Sequence, residues 1–122
     1  MRPRSRRERG VRAEQLAREF LEQKGLTLVT RNYRTRRGEI DLIMKDRDTI
    51  VFVEVRARAH AGFMDPAESV DAAKQARIMD TGRRWLQQHK LSDRVACRFD
   101  VILCTGEEGA QNIRWIADAF AT

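Results

Sequence analysis

At 122 residues, with 42% hydrophobic and 34% charged side chains, the chain has the makings of one globular core and is too short for two. No apolar run approaches the ~20 residues that cross a bilayer, and the basic N-terminus lacks the apolar segment of a signal peptide, so a cytoplasmic location is expected. The formal charge of +6 is unevenly placed: six arginines against Glu8 put +5 in residues 1–12 and leave +1 for the rest.

That imbalance divides the chain into an expected flexible basic arm, residues 1–10, and a single domain, residues 11–122. An arginine arm on a near-neutral body suggests a polyanionic partner, nucleic acid being the commonest; the alternative is a solvated leader with no role. The first helix is predicted over residues 11–24, ending at Gly25, a residue favoured just past a helix end. Ala13, Leu16, Ala17, Phe20 and Leu21 form its apolar stripe, and Glu14 lies at the margin of that stripe. Spacing leaves Glu14 either a surface glutamate or a carboxylate leaning towards a site.

A strand is expected over residues 26–32. RNYRTRRG, residues 31–38, then gathers Arg31, Arg34, Arg36 and Arg37 around Tyr33. Guanidinium groups hold phosphate and an aromatic ring stacks on bases, so these five are candidate nucleic-acid contacts, although a charged surface turn is an equally simple reading.

The next stretch, GEIDLIMKDRDTIVFVEVRAR, reads as two β-branched runs, residues 39–44 and 49–55, folded back at Asp46–Asp48. Placing Lys45 opposite Ile50 pairs Met44 with Val51, Leu42 with Val53 and Ile40 with Val55 on one apolar face. The other face pairs Ile43 with Phe52, Asp41 with Glu54 and Glu39 with Arg56. Two carboxylates facing each other across ~5 Å repel, and burial among Ile43, Phe52 and Val53 worsens that. A hard divalent cation such as Mg²⁺ would answer the repulsion; so would bridging arginines or water.

Beyond a loop at AHAGFM, Asp65-Pro66-Ala67-Glu68 has the composition of a helix start, and the helix is expected to continue to about His89. Val70, Lys74, Ile78, Thr81 and Trp85 mark its inner stripe. Lys74 is out of place there: it either snorkels to water or carries its ammonium to the carboxylates. A fourth strand, residues 97–104, holds Asp100 between Phe99 and Val101, and a fifth covers residues 112–116. Cys97 and Cys104 bracket the fourth strand roughly 23 Å apart, beyond disulfide reach, and are expected to be buried reduced thiols. With only His60 and His89 besides, no zinc-type cluster is visible. The order is αβββαββ, an α/β fold in which the helix between strands three and four implies a right-handed crossover and a parallel pair.

AEQLAREFLEQKG, NYRTRRGEIDLI, FVEVRAR, AESVDAAKQARI and RFDVIL together resemble the small bacterial YraN-like proteins of the PD-(D/E)xK superfamily, over nearly all of residues 14–120. The resemblance implies a restriction-endonuclease-like core, a mixed five-stranded sheet flanked by helices, related to Holliday junction resolvases. It implies that Asp41 and Glu54 bind Mg²⁺ or Mn²⁺ with the Val55 carbonyl, and that Glu14 matches a helical acid that completes the site in some members. Arg56 stands where most relatives carry the motif lysine. Arginine holds phosphate but remains protonated, so it cannot act as a base. Lys74 offers a relocated ammonium, as known among superfamily relatives, while Arg56 in the hairpin register is placed to pair with Glu39.

Two functions follow. One is a metal-dependent nuclease on branched or single-stranded DNA, with Asp41, Glu54, Arg56 and Lys74 as catalytic candidates. The other is a nucleic-acid-binding adaptor that kept the fold and lost turnover. Resolvase-like relatives act as dimers, so a homodimer is an option, although no interface stripe stands out.

Overall fold

The register of the sheet is set by a two-residue turn. A computed structural model describes residues 5–58, 70–106 and 112–120. In it β2 (Glu39–Asp46) and β3 (Thr49–Arg58) meet at Arg47-Asp48, with Arg47 at φ 56°. This fixes Asp46 opposite Thr49, Lys45 opposite Ile50, Met44 opposite Val51 and Leu42 opposite Val53, the pairing that the apolar alternation predicts. β1 (Thr27–Arg34) runs antiparallel to β2, with a register shift between Leu28 and Thr30. β4 (Ala96–Thr105) lies parallel to β3, and β5 (Asn112–Ile116) antiparallel to β4. The strand order is β1-β2-β3-β4-β5.

Each face of this mixed sheet carries one helix, because neighbouring strand residues point to opposite faces. α1 (Arg6–Gln23) lays Ala13, Ala17 and Leu21 over Leu42, Met44, Val51 and Val53. α2 (Ala72–Gln88) lays Ile78, Trp85 and Leu86 over Ile43, Ile50, Phe52, Phe99 and Val101. The architecture is the expected αβββαββ core of the restriction-endonuclease-like class.

Two glycines bring α2 close to the sheet. A Cβ on Gly82 would stand 3.0 Å from the Phe52 ring, which stacks on Phe99 at 5.2 Å and meets the edge of Trp85 at 6.0 Å. A Cβ on Gly38 would stand 2.8 Å from Thr81 Oγ1. The start of β2 is thereby seated directly against the middle of α2.

Asp100 is fully buried and structural. Its carboxylate accepts from Arg98 Nε (3.1 Å), Trp115 Nε1 (2.9 Å) and the Asp118 amide (2.8 Å), and Arg98 also reaches Asp46 Oδ2 at 3.0 Å. A buried charge with its oxygens satisfied this fully locks β2, β4, β5 and the final turn together.

The structure departs from the sequence reading at four places. Residues 6–10 belong to α1 and not to an irregular arm: Ser5 caps the helix, accepting from the Glu8 amide at 3.1 Å while Glu8 accepts from the Ser5 amide. The second helix begins at Ala72 behind an Asp71 cap, so it does not run unbroken from residue 65; the Asp65–Glu68 start lies outside the described residues. Ile40 packs with Phe52 under α2, not with Leu42, and the pairs Ile40–Val55, Asp41–Glu54 and Glu39–Arg56 are absent from the ladder. Cys97 is exposed; only Cys104 is buried, where desolvation pushes its thiol up to about 11. Both cysteines are free thiols.

The close approach of Gly38 to α2 makes a testable demand. Gly38→Ala should cost about 1–3 kcal/mol, the usual penalty of overpacking, in urea unfolding. Adding Thr81→Ala, which removes the facing hydroxyl, should make the combined loss smaller than the sum of the two single losses.

Candidate metal and phosphodiester site

The site forms where β2 and β3 part. Their ladder ends at Leu42–Val53, and beyond it Asp41 Oδ2 accepts the Val55 amide at 2.8 Å. A side-chain oxygen thus takes the hydrogen bond that a strand carbonyl would otherwise receive. Ile40 and Leu42, two residues apart, lie on opposite sides of the sheet, so the strand is rotated at Asp41. Asn32, which falls opposite Asp41 between the Arg31–Leu42 and Tyr33–Ile40 pairs, takes φ 53°. Both strands twist at one point, and the twist turns the Asp41 carboxylate into the gap beside Glu54.

Asp41 lies close enough to Glu54 for the Glu54 carboxylate to oppose its ionisation. Asp41 is only partly buried as a residue, but its carboxyl is desolvated. Burial first, then the proximity and charge of Glu54, push it far above the ordinary aspartate range; the Val55 amide pulls the other way. Glu54 is buried, and Lys74 Nζ approaches its Oε2 at 3.1 Å. That approach is not aligned as a hydrogen bond, which leaves Oε2 a buried acceptor without a donor. Lys74 reaches this point because Asp71 Oδ1 accepts its backbone amide at 2.8 Å, fixing it in the first turn of α2.

Arg56 leaves β3 on the same face as Glu54, two residues further along. Its Nε is buried without a hydrogen-bond partner. The Glu39 partnership open to it in a regular hairpin does not form: Glu39 pairs with Arg34 at 3.1 Å. Glu14 is half-buried on α1. Burial raises its pKa, followed by the charge of Glu39, while Arg34 and Arg31 lower it and Glu54 raises it. It lies in the field of the pair, yet among the described residues no three acidic, histidine or cysteine side chains gather into a metal nest.

The basic hairpin tip projects from the same end of the sheet. Thr35 Oγ1 accepts the Arg37 and Gly38 amides at 3.1 and 3.2 Å, and the Thr35 amide donates to Gly38 O at 2.8 Å, leaving Arg36 and Arg37 exposed at the apex. Arg31 is also exposed and lines a shallow cleft of about 270 Å³ with Glu14 and Arg18. Tyr33 does not share that exposure: its hydroxyl donates to Gln88 Oε1 at 2.7 Å and its ring packs on the α2-side core. Asp41, Glu54, Val55 and Lys74 are therefore brought together, with Arg56 beside them; Tyr33 is half-buried against the α2-side core. Sequence reasoning passed over Asp71 and Thr35, which position Lys74 and the tip. The signals were an aspartate three residues before Lys74 and a threonine three before Gly38.

A restriction-endonuclease-like core with paired acids at the point where its central hairpin opens defines the class of protein. The chain belongs to the family described as uncharacterised protein family UPF0102, the YraN-like family, whose model matches residues 13–104. It is 48% identical to a UPF0102 protein of Nitrosococcus oceani over 98% of this chain and 97% of that one. Relatives from Alkalilimnicola ehrlichii and Coxiella burnetii are 46% and 41% identical, over 93% and 90% of this chain and 86% and 89% of theirs. No helix among the described residues is long and apolar enough to cross a membrane.

The raised pKa of Asp41 sets the pH response of the metal-free protein. Unfolded, Asp41 ionises near pH 4; folded, it keeps its proton well above that. Over this window the native state binds more protons than the unfolded one, so stability falls as pH rises. Denaturant midpoints in chelator should drop from pH 5 to pH 8, and Asp41→Asn should flatten the slope. A wild-type midpoint that climbs over this range contradicts the assignment.

Proposed function

We propose that this protein is a metal-dependent endonuclease acting on DNA, with branched or single-stranded forms as its substrates. The observation that carries the reading is the convergence of two like-charged carboxyls and one ammonium at the opening of the β2–β3 hairpin. Asp41, Glu54 and the Val55 carbonyl make an all-oxygen donor set suited to Mg²⁺ or Mn²⁺, which takes few protein ligands and keeps several waters. The donorless Oε2 of Glu54 is an acceptor that a cation would satisfy. Bound there, such a metal would polarise a phosphodiester and lower the pKa of a coordinated water.

The chain's own groups supply the rest. Burial and the neighbouring Glu54 favour the protonated form of Asp41, and a cation at the site would favour its carboxylate. Lys74, held by the Asp71 cap, offers a compact charge beside Glu54, where it can stabilise the additional negative charge of a five-coordinate phosphorus. Arg36 and Arg37 at the tip, with Arg31 and Arg34 on β1, favour a nucleic-acid backbone over a small phosphate ester.

Incubation with single-stranded, duplex and branched DNA in Mn²⁺ or Mg²⁺ tests this directly. Cleavage should require metal and vanish in Asp41→Ala. Lys74→Ala should lower turnover by about 10²–10³, the scale of removing one transition-state donor, while metal still raises the melting temperature, by about 2.7 kcal/mol of stability at a hundredfold excess over its Kd. Arg56→Lys should keep or raise kcat at saturating DNA. If neither the wild type nor Arg56→Lys cleaves any DNA form, the adaptor reading, which Arg56 at the motif position favours, replaces this one.

The arginine tip yields its own measurement. Arg36→Ala with Arg37→Ala should weaken DNA binding at low salt. The log–log salt slope should flatten by about 0.7–0.9 for each phosphate no longer neutralised. An unchanged slope would remove the tip from the interface.

A further inference from the structure

We infer that Arg56 is not a stand-in for a catalytic lysine but the anchor of a second phosphate, one neighbouring the phosphodiester held at Asp41 and Glu54. The inference rests on the nuclease reading and adds a subsite to it. Three observations point the same way. Arg56 shares the Glu54 face of β3 but lies one side-chain repeat further out, about 7 Å along the strand, close to the distance between successive phosphates of a nucleic-acid strand. The catalytic charge position beside Glu54 is already filled by the Lys74 ammonium at 3.1 Å. The carboxylate that a regular hairpin would give Arg56 is bound elsewhere, Glu39 lying 3.1 Å from Arg34.

What remains is a guanidinium whose Nε is buried and has no acceptor. Leaving a buried donor unsatisfied is costly, and a charged donor is more costly still, so the position calls for an anion. Among the described residues no acid pairs with Arg56: Glu54 Oε2 lies beside Lys74 and Glu39 beside Arg34. A guanidinium fork matches a phosphate in two parallel hydrogen bonds, which an ammonium does not. A strand laid across the end of the sheet would place one phosphate at the acid pair and the next at Arg56. The substrate class is therefore a nucleic-acid strand with at least two consecutive phosphates, and mononucleotide esters should be poor ligands.

The full-length chain tests this through binding as well as turnover. Fluorescence anisotropy of a short labelled single strand, in Ca²⁺ and separately in chelator, should show Arg56→Ala weakening affinity at least tenfold. The salt slope should flatten by the equivalent of close to one neutralised phosphate, and Arg56→Lys should restore affinity only in part. In cleavage, Arg56→Ala should raise KM with kcat largely kept, whereas Lys74→Ala should do the reverse. The melting temperature of Arg56→Ala should hold or rise, because a donor with no partner is being removed; a merely structural arginine would lower it. If the wild type binds DNA and Arg56→Ala binds equally well with the same salt slope, the anchor is wrong and the nuclease reading stands. The anchor is also overturned if Arg56→Ala loses kcat at unchanged KM. If the wild type binds no DNA form, the functional reading falls and the anchor with it.

Discussion

The hydrogen bond from the Val55 amide to Asp41 Oδ2, at 2.8 Å, is the interaction on which the site depends. In an antiparallel hairpin every inward amide looks to a carbonyl across the ladder. Here β2 is rotated at Asp41, so the carbonyl turns away and the carboxylate serves in its place. The substitution satisfies the amide and simultaneously brings Asp41 against Glu54. Rotation of β2 has a second consequence. It moves Ile40 beneath α2, into the core with Phe52 and Tyr33, and so ties the position of the carboxylate to the packing of the sheet.

The helix side of the site is held by equally local chemistry. Gly38 lets the hairpin rest on Thr81 of α2, and the Asp71 cap fixes the first turn of the same helix. The position of Lys74 relative to Glu54 is therefore held from the first turn and the middle of one helix. Placement by a helix and two strands, with loops left out of it, gives a constellation the precision that charge stabilisation requires.

The hairpin register was readable because a short polar turn and a period-two apolar pattern admit few solutions; Met44–Val51 and Leu42–Val53 pair as the pattern demands. The same regularity misled at Asp41. An alternating pattern carries no mark of a rotated strand, and the Asn32 backbone that accompanies the rotation is a tertiary choice. Helix bounds failed for a different reason. Ser5–Glu8 is a capping box in plain view, but the arginines around it read as a charge run and hid the signal. Asp65 and Asp71 are both plausible caps, and spacing alone cannot rank two good caps six residues apart. Lys74 was legible as an intruder in an apolar stripe, and Asp100 was legible only as an acid set between Phe99 and Val101. What each of them faces depends on strands distant in sequence.

The two cations nearest the acid pair illustrate why residue type has to be read together with position. Arg56 occupies the place in the strand where the motif puts its lysine, and counting along β3 would give it the catalytic part. Yet its stem leaves the sheet beyond Glu54, and its broad head has no carboxylate to meet, since Glu39 has turned to Arg34. Lys74 comes from an element more than fifteen residues further along the chain and arrives at Glu54 with the smaller, more localised charge. A point charge suits a crowded acidic pocket, where a planar fork would have to displace Asp41. With the ammonium on α2, the strand position is left to a guanidinium whose Nε has no hydrogen-bond partner. A sequence with EVR in place of EVK still gathers its acid pair and one ammonium at the opening of the hairpin.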